Sequence, residues 1–102
     1  MFSVVYIASR DMDEARRISR ALVEERLVAC ANSWPITSVF RWEGALEEGA
    51  EAATLCKTKT ALVPAVVRRV RELHSYEVPC ITSWKIDGGW AGYLDWVRRE
   101  TG

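Results

Sequence analysis

The stretch Phe2-Ser3-Val4-Val5-Tyr6-Ile7-Ala8 opens the chain as a nearly unbroken apolar run that is rich in β-branched and aromatic residues. Such a run predicts a β-strand that is buried on both faces. A helix is expected next, because residues 10–13 supply an N-cap and apolar residues then recur at spacings of three and four, ending near Arg26. The predicted buried stripe of this helix is Ala15, Ile18 and Leu22.

The middle of the chain predicts a β-hairpin. Residues 28–42 are β-type, and Pro35 interrupts them. Because proline lacks the N–H that a strand donates to its neighbour, its presence implies a bulge or an edge position. Residues 43–49, which include Gly44 and Gly49, are predicted to turn the chain back, and residues 50–58 to form the returning strand.

The remainder of the chain predicts a helix, a strand and a short final helix. The second helix is expected to begin at Thr60 or Val63, with Pro64 tolerated in its first turn. Residues 80–86 predict a fourth strand, and residues 87–89 a turn. The apolar positions are Leu62, Val66, Val70 and Leu73 in the second helix and Trp90, Tyr93, Leu94 and Val97 in the last one.

This order of elements indicates one α+β domain over residues 1–102: a ferredoxin-like βαββαβ sandwich with an extra C-terminal helix. Both main helices should then cover one face of a four-stranded antiparallel sheet, and the other face should alternate toward polar residues. The first strand does not alternate, and Trp34, Phe40, Trp42 and Trp84 add further apolar area. We therefore expect an obligate oligomer, in which other copies cover the open face.

The composition limits the classes of partner. The chain has 102 residues, with 14 Lys plus Arg against 14 Asp plus Glu, so no net charge draws it to nucleic acid or to an anionic membrane. No apolar run approaches the length of a membrane span, and a signal peptide is not recognisable, so we expect a cytoplasmic protein. Three widely spaced cysteines predict buried, reduced thiols.

The hexapeptide His74-Ser75-Tyr76-Glu77-Val78-Pro79 contains the only histidine of the chain, at the junction of the second helix and the last strand. It places an imidazole, a phenol and a carboxylate in one connection, and connections often carry function. The competing interpretation is structural. A basic residue near a helix C-terminus followed by a proline commonly ends a helix.

Five segments resemble the CutA family of divalent-cation tolerance proteins. In order along the chain they are residues 25–32 (ERLVACAN), residues 38–44 (SVFRWEG), Lys57-Thr58, the hexapeptide 74–79 and residues 93–96 (YLDW). The resemblance implies a ferredoxin-like protomer in a homotrimer, with the long second and third strands pairing across subunits, and it implies metal binding. The chain departs from the family at Ser75, where members carry proline. It also departs at Ile7 and Leu73, where bacterial members proposed to ligate copper carry cysteine and histidine.

From the residues and the resemblance together we predict weak binding of Cu(II) or another divalent cation at His74, with Glu77 as a second ligand. A selective transition-metal site normally offers several imidazoles or thiolates, and one protomer has a single imidazole, so three subunits would have to share or repeat the site. We expect no cofactor to be required for folding.

A trimeric sensor or scaffold of the PII type is the alternative, with a small anionic ligand or a protein partner in a cleft between subunits. The cleft would be lined by Trp42, Lys57, Thr58 and Tyr76, together with His74 and Glu77. We do not expect an enzyme, because no nucleophile is recognisable beside His74 and the loop after the first strand lacks the glycines of a phosphate-binding loop. Nucleic-acid binding is not expected either, since the aromatic pattern of RNA-binding sheets is missing.

Overall fold

A computed structural model describes all 102 residues. The elements follow the order β1 (Phe2–Ser9), α1 (Met12–Glu24), β2 (Cys30–Trp42), β3 (Ala45–Lys59), a 3₁₀ turn (Thr60–Leu62), α2 (Val63–Leu73), β4 (Cys80–Lys85) and α3 (Ala91–Glu100). The strands form one antiparallel sheet in the order β2-β3-β1-β4. The predicted ferredoxin-like arrangement is confirmed, including the final helix.

α1 begins where the sequence indicates. The side chain of Asp11 accepts a hydrogen bond from the backbone N–H of Glu14 at 2.8 Å, which satisfies one of the free donors at the start of the helix. α1 ends at Glu24, two residues before Arg26, which adopts a left-handed conformation with φ of 61°. The predicted buried stripe of α1 is confirmed.

The hairpin turn is shorter than predicted. It consists of two residues, Glu43 and Gly44, whose φ angles of 50° and 82° suit the tight turn that joins twisted antiparallel strands. The predicted turn over residues 43–49 was therefore wrong, and Gly49 lies inside β3. Pairing of β2 with β3 is unbroken along the whole of β2, including Pro35, so the proline marks an edge strand and not a bulge.

The hairpin extends well beyond the rest of the sheet. β3 pairs with β1 only from Ala52 to Lys59, so residues 36–51 have no sheet neighbour except each other. We call residues 36–51 the hairpin arm. The arm accounts for the elongated shape of the protomer, whose longest dimension is 45 Å.

The core lies between the sheet and helices α1 and α2. Its fully buried members are Val5, Ile7, Ile18, Leu22, Val28, Cys56, Val66 and Val70. β1 is buried at six of its eight positions, as predicted for a strand covered on both faces. α3 contacts the opposite face of the sheet, where the Tyr93 hydroxyl lies 3.0 Å from the Cys30 sulfur and the Arg98 guanidinium lies over the Phe2 ring.

α3 covers only one end of that face. Four aromatic side chains elsewhere on it remain 38–50% exposed in the protomer: Trp34, Phe40, Trp42 and Trp84. The open apolar face expected from the sequence is therefore present.

Candidate functional site

His74 is the C-terminal cap of α2, and its imidazole is buried. Nε2 lies 2.8 Å from the backbone oxygen of Ala8, and Nδ1 lies 3.0 Å from the backbone N–H of Tyr76. A backbone N–H can only donate, so Nδ1 is the acceptor and Nε2 carries the proton that it donates to Ala8. Both ring nitrogens of the neutral imidazole are thus occupied by backbone groups, which supports the structural interpretation of this histidine.

Glu14 is a buried carboxylate directly beside this loop. Its Oε1 accepts a hydrogen bond from the Arg10 N–H and its Oε2 one from the Ser75 N–H, each at 2.8 Å, and the Arg17 guanidinium also reaches Oε2. Burial alone would raise the pKa of Glu14, but these hydrogen bonds to the ionised form outweigh it and hold the pKa below its ordinary value. The start of α1 is thereby joined to the loop after α2.

Tyr76 joins the same loop to the hairpin arm. Its hydroxyl donates a hydrogen bond of 2.6 Å to Oε2 of Glu51, and its ring lies 4.9 Å from the His74 ring. Burial, followed by the hydrogen bond to the Glu51 carboxylate, raises the pKa of the Tyr76 phenol. The phenol therefore stays protonated and keeps its proton available for Glu51.

A groove of about 1110 Å³ lies between the arm, the Tyr76 loop and the open face of the sheet. Nine of its sixteen lining residues are hydrophobic. Its acidic side chains are Glu47, Glu51 and Glu77, against one basic side chain, Arg41. The groove therefore combines an apolar floor with a net negative charge, which attracts cations and repels anions.

The structure divides the predicted cleft residues into two groups. Trp42, Tyr76 and Glu77 line the groove, whereas His74, Lys57 and Thr58 do not. Lys57 donates to the Asn32 side chain, and the buried Thr58 hydroxyl donates to the backbone oxygen of Leu27 at 2.6 Å. Lys57 is six strand residues from Glu51, or about 20 Å. Within one protomer, only Trp42, Tyr76 and Glu77 can contribute to the same site.

The predicted metal ligands fit a preformed site poorly. No three His, Cys, Asp or Glu side chains of the protomer are grouped to hold an ion. A metal at His74 would have to take the Nδ1 lone pair from Tyr76 or the Nε2 proton that bonds to Ala8. Glu77 is exposed on the groove wall and remains accessible to a cation.

Two carboxylates of this region, Glu14 and Glu51, were missed by the sequence reasoning. The spacing of Asp11 and Glu14 matches a capping box, so it could have placed Glu14 at the helix start. Nothing local marks Glu51, because its partner Tyr76 is 25 residues away.

A known protein family matches nearly the whole chain. A family model described as "CutA1 divalent ion tolerance protein" matches residues 3–100. The chain belongs to this CutA1 family. The resemblance seen in the sequence is therefore confirmed over nearly the whole chain.

Individual CutA relatives match at full length. The divalent-cation tolerance protein CutA of Thermus thermophilus is 46% identical over 103 residues, covering all of both chains. That of Archaeoglobus fulgidus is 39% identical over 97 residues, or 95% of each chain. Human protein CutA is 40% identical over 100 residues, but this chain spans only 56% of its length.

Solved structures of CutA proteins share the fold. The Thermus thermophilus structure matches with a TM-score of 0.95 over 100% of both chains. The Archaeoglobus fulgidus structure, described as a periplasmic divalent cation tolerance protein, matches with a TM-score of 0.96 at 38% identity over 98% of each chain. None of the three α-helices has the length and hydropathy that a membrane-spanning helix needs.

Proposed function

We propose that this CutA1-family protein acts in divalent-cation tolerance as a non-enzymatic homotrimer that binds Cu(II) or another divalent cation weakly and responds to metal ions. The observation that carries the proposal is the groove with its acidic wall beside an open apolar face. Membership of the family supplies the class of ion, and the groove supplies a surface suited to a cation. The predicted cytoplasmic location stays a prediction.

The open face and the arm support assembly. A two-stranded ribbon is marginally stable in water unless something packs on it, and the arm carries Phe40 and Trp42 at 43% and 38% exposure. When a second copy covers these side chains, each Å² of apolar surface removed from water stabilises the assembly by about 25 cal/mol. The family resemblance favours three copies, since it implies long strands that pair across subunits.

The cation is expected to bind through carboxylates and not through an imidazole. Glu77 is exposed on the groove wall, and Glu47 and Glu51 line the same groove. Carboxylates that are not grouped into a cage give only weak affinity and little selectivity among divalent ions. The predicted pair of His74 and Glu77 is thus reduced to Glu77 in our proposal, with further ligands from other copies.

The position of His74 disfavours this histidine as a general base. A nucleophilic mechanism needs a base within hydrogen-bond reach of the nucleophile. The single imidazole is held between the backbone of Ala8 and that of Tyr76, so neither nitrogen faces a nucleophile.

Isothermal titration of the purified protein with Cu(II) tests the proposal. We expect weak binding that Glu77→Gln weakens severalfold, whereas Glu24→Gln, which removes an exposed carboxylate from α1, leaves it unchanged. Equal affinities of the wild type and Glu77→Gln would exclude Glu77 as a ligand. A complete loss of binding in a His74→Ala protein, but not in Tyr76→Phe, with both variants folded and assembled as the wild type is, would restore His74 as the ligand.

A small anionic ligand, the alternative suggested by the sequence, is disfavoured in this groove by its three carboxylates. A thermal-denaturation screen separates the two functions. A rise in melting temperature with nucleotides but not with Cu(II) would favour the sensor over the metal-binding protein.

A further inference from the structure

The segment of residues 73–76 is bound to the body of the protomer at successive positions. The Arg17 guanidinium donates to the Leu73 oxygen at 3.1 Å, and Nε2 of His74 donates to Ala8 in β1 at 2.8 Å. The Ser75 N–H donates to the buried Glu14 carboxylate. This side of the segment is therefore anchored to both α1 and β1.

The same segment ends in a bond to the hairpin arm. The Tyr76 hydroxyl bonds to Glu51, which is the last arm residue before the pairing of Ala52 with Ser9 begins. No other arm side chain forms a hydrogen bond to the rest of the protomer. The Tyr76–Glu51 bond is thus the single side-chain hydrogen bond between the arm and the body of the protomer. The backbone hydrogen bonds of the arm run between its own two strands.

His74 determines where Tyr76 points. Its Nδ1 accepts a hydrogen bond from the backbone N–H of Tyr76, two residues later. Asn and Asp side chains stabilise turns by the same pattern. The turn places the Tyr76 ring 4.9 Å from the imidazole and directs its hydroxyl at Glu51. Without the acceptor at Nδ1, nothing else pairs the Tyr76 N–H.

We propose that residues 73–76 form a latch that fixes the hairpin arm relative to the body, with His74 as the positioning residue and Tyr76 as the contact to the arm. The latch rests on the proposed function in one respect, namely that a second copy covers the arm. An arm held at one angle presents Phe40 and Trp42 to that copy in a fixed arrangement. When the latch is broken, the arm loses more conformational entropy on binding, and assembly is weaker.

Hydrogen exchange of arm amides, read by mass spectrometry on the full chain, tests the latch. Tyr76→Phe removes only the hydroxyl, and we expect exchange of arm amides 38–49 to accelerate about tenfold or more, as expected for loss of a hydrogen bond to a charged group. Glu51→Gln retains an accepting oxygen and should change exchange less. Amides of β1 should not change in either variant. Arm exchange in Tyr76→Phe equal to that of the wild type would overturn the latch.

Two substitutions at position 74 test the role of the imidazole. Asparagine can accept the same N–H two residues ahead, so His74→Asn should keep arm exchange close to that of the wild type, whereas His74→Ala should accelerate it as Tyr76→Phe does. Rapid arm exchange in a folded His74→Asn protein equal to that of His74→Ala would overturn the positioning role of Nδ1.

Sedimentation of the same proteins separates failure of the latch from failure of the proposed assembly. A wild type that sediments as a monomer would refute the assembly, while the exchange data would still decide the latch. A wild-type trimer whose dissociation is unchanged by Tyr76→Phe would refute the link between the latch and assembly.

Discussion

Replacing Glu14 by glutamine should destabilise the protein at neutral pH, because two backbone donors depend on this carboxylate. Glu14 is buried and accepts from the N–H groups of Arg10 and Ser75 at 2.8 Å each. Glutamine offers one accepting oxygen and turns an NH₂ group toward the other donor. Loss of one hydrogen bond to a charged acceptor costs about 1.5–3 kcal/mol, so we expect the free energy of unfolding to fall by about 2 kcal/mol.

The effect of Glu14→Gln should depend on pH in a defined direction. The pKa of Glu14 in the folded protein lies below its ordinary value of 4.5, so its ionised form stabilises the fold fully above that value. This stabilisation is lost as the pH falls through the lower pKa of the folded state. The difference between the wild type and Glu14→Gln should therefore be constant near neutrality and shrink toward pH 3.

Urea denaturation at one protomer concentration measures both effects, since the stability of an oligomer depends on concentration. With a slope of about 2 kcal/mol per M, the midpoint should drop by about 1 M at pH 7. Glu24→Gln, an exposed position on the same helix, should shift it little. A loss below about 0.5 kcal/mol at pH 7, or an equal loss at pH 3 and pH 7, would refute the role assigned to Glu14.

Three further perturbations probe other parts of the fold. Gly44→Ala should cost about 1 kcal/mol in urea denaturation, because φ at Gly44 is 82°, and no loss would argue against the tight turn. Arg26→Ala should cost about 1 kcal/mol in the same assay, since its guanidinium donates to the backbone oxygens of Arg99 and Gly102 at the end of α3; unchanged stability would show that this contact is dispensable. Of the three thiols predicted to be buried, only Cys56 is, while Cys80 is exposed and Cys30 partly so. Burial raises the pKa of Cys56 to about 12, so iodoacetamide at pH 8 should label Cys56 only in urea, and labelling of Cys56 in the native protein, located by peptide mass spectrometry, would contradict its burial.

The regular elements could be predicted because each has a local period. β1 is a nearly unbroken apolar run, apolar residues recur every three to four positions along α1 and α2, and the core uses those positions. The start of β3 could not be predicted in this way. Residues 45–49 include two glutamates and a glycine, which are poor strand formers, and only their pairing with β2 makes them a strand.

The hairpin turn was misplaced for a related reason. Glycine at Gly44 and Gly49 marked a broad turn, but the tight turn uses Glu43 in a left-handed conformation that glutamate rarely adopts. The extra pairing of the long strands favours this conformation, and local preference does not reveal it.

The candidate site was predicted in outline, but its contacts were not. The sequence singled out His74, Tyr76 and Glu77, and it left open whether the histidine serves chemistry or ends a helix. The bonds that decide the geometry join Ser75 to Glu14 and Tyr76 to Glu51 across 61 and 25 residues. Separations of this size leave no periodic signal in a single sequence.

Sedimentation equilibrium at micromolar concentration tests the central claim, that copies of the chain cover the open face and the hairpin arm. We expect a single species with a mass close to three times the 11.6 kDa of the protomer, stable on dilution. A soluble, stable monomer at the same concentration would contradict the claim.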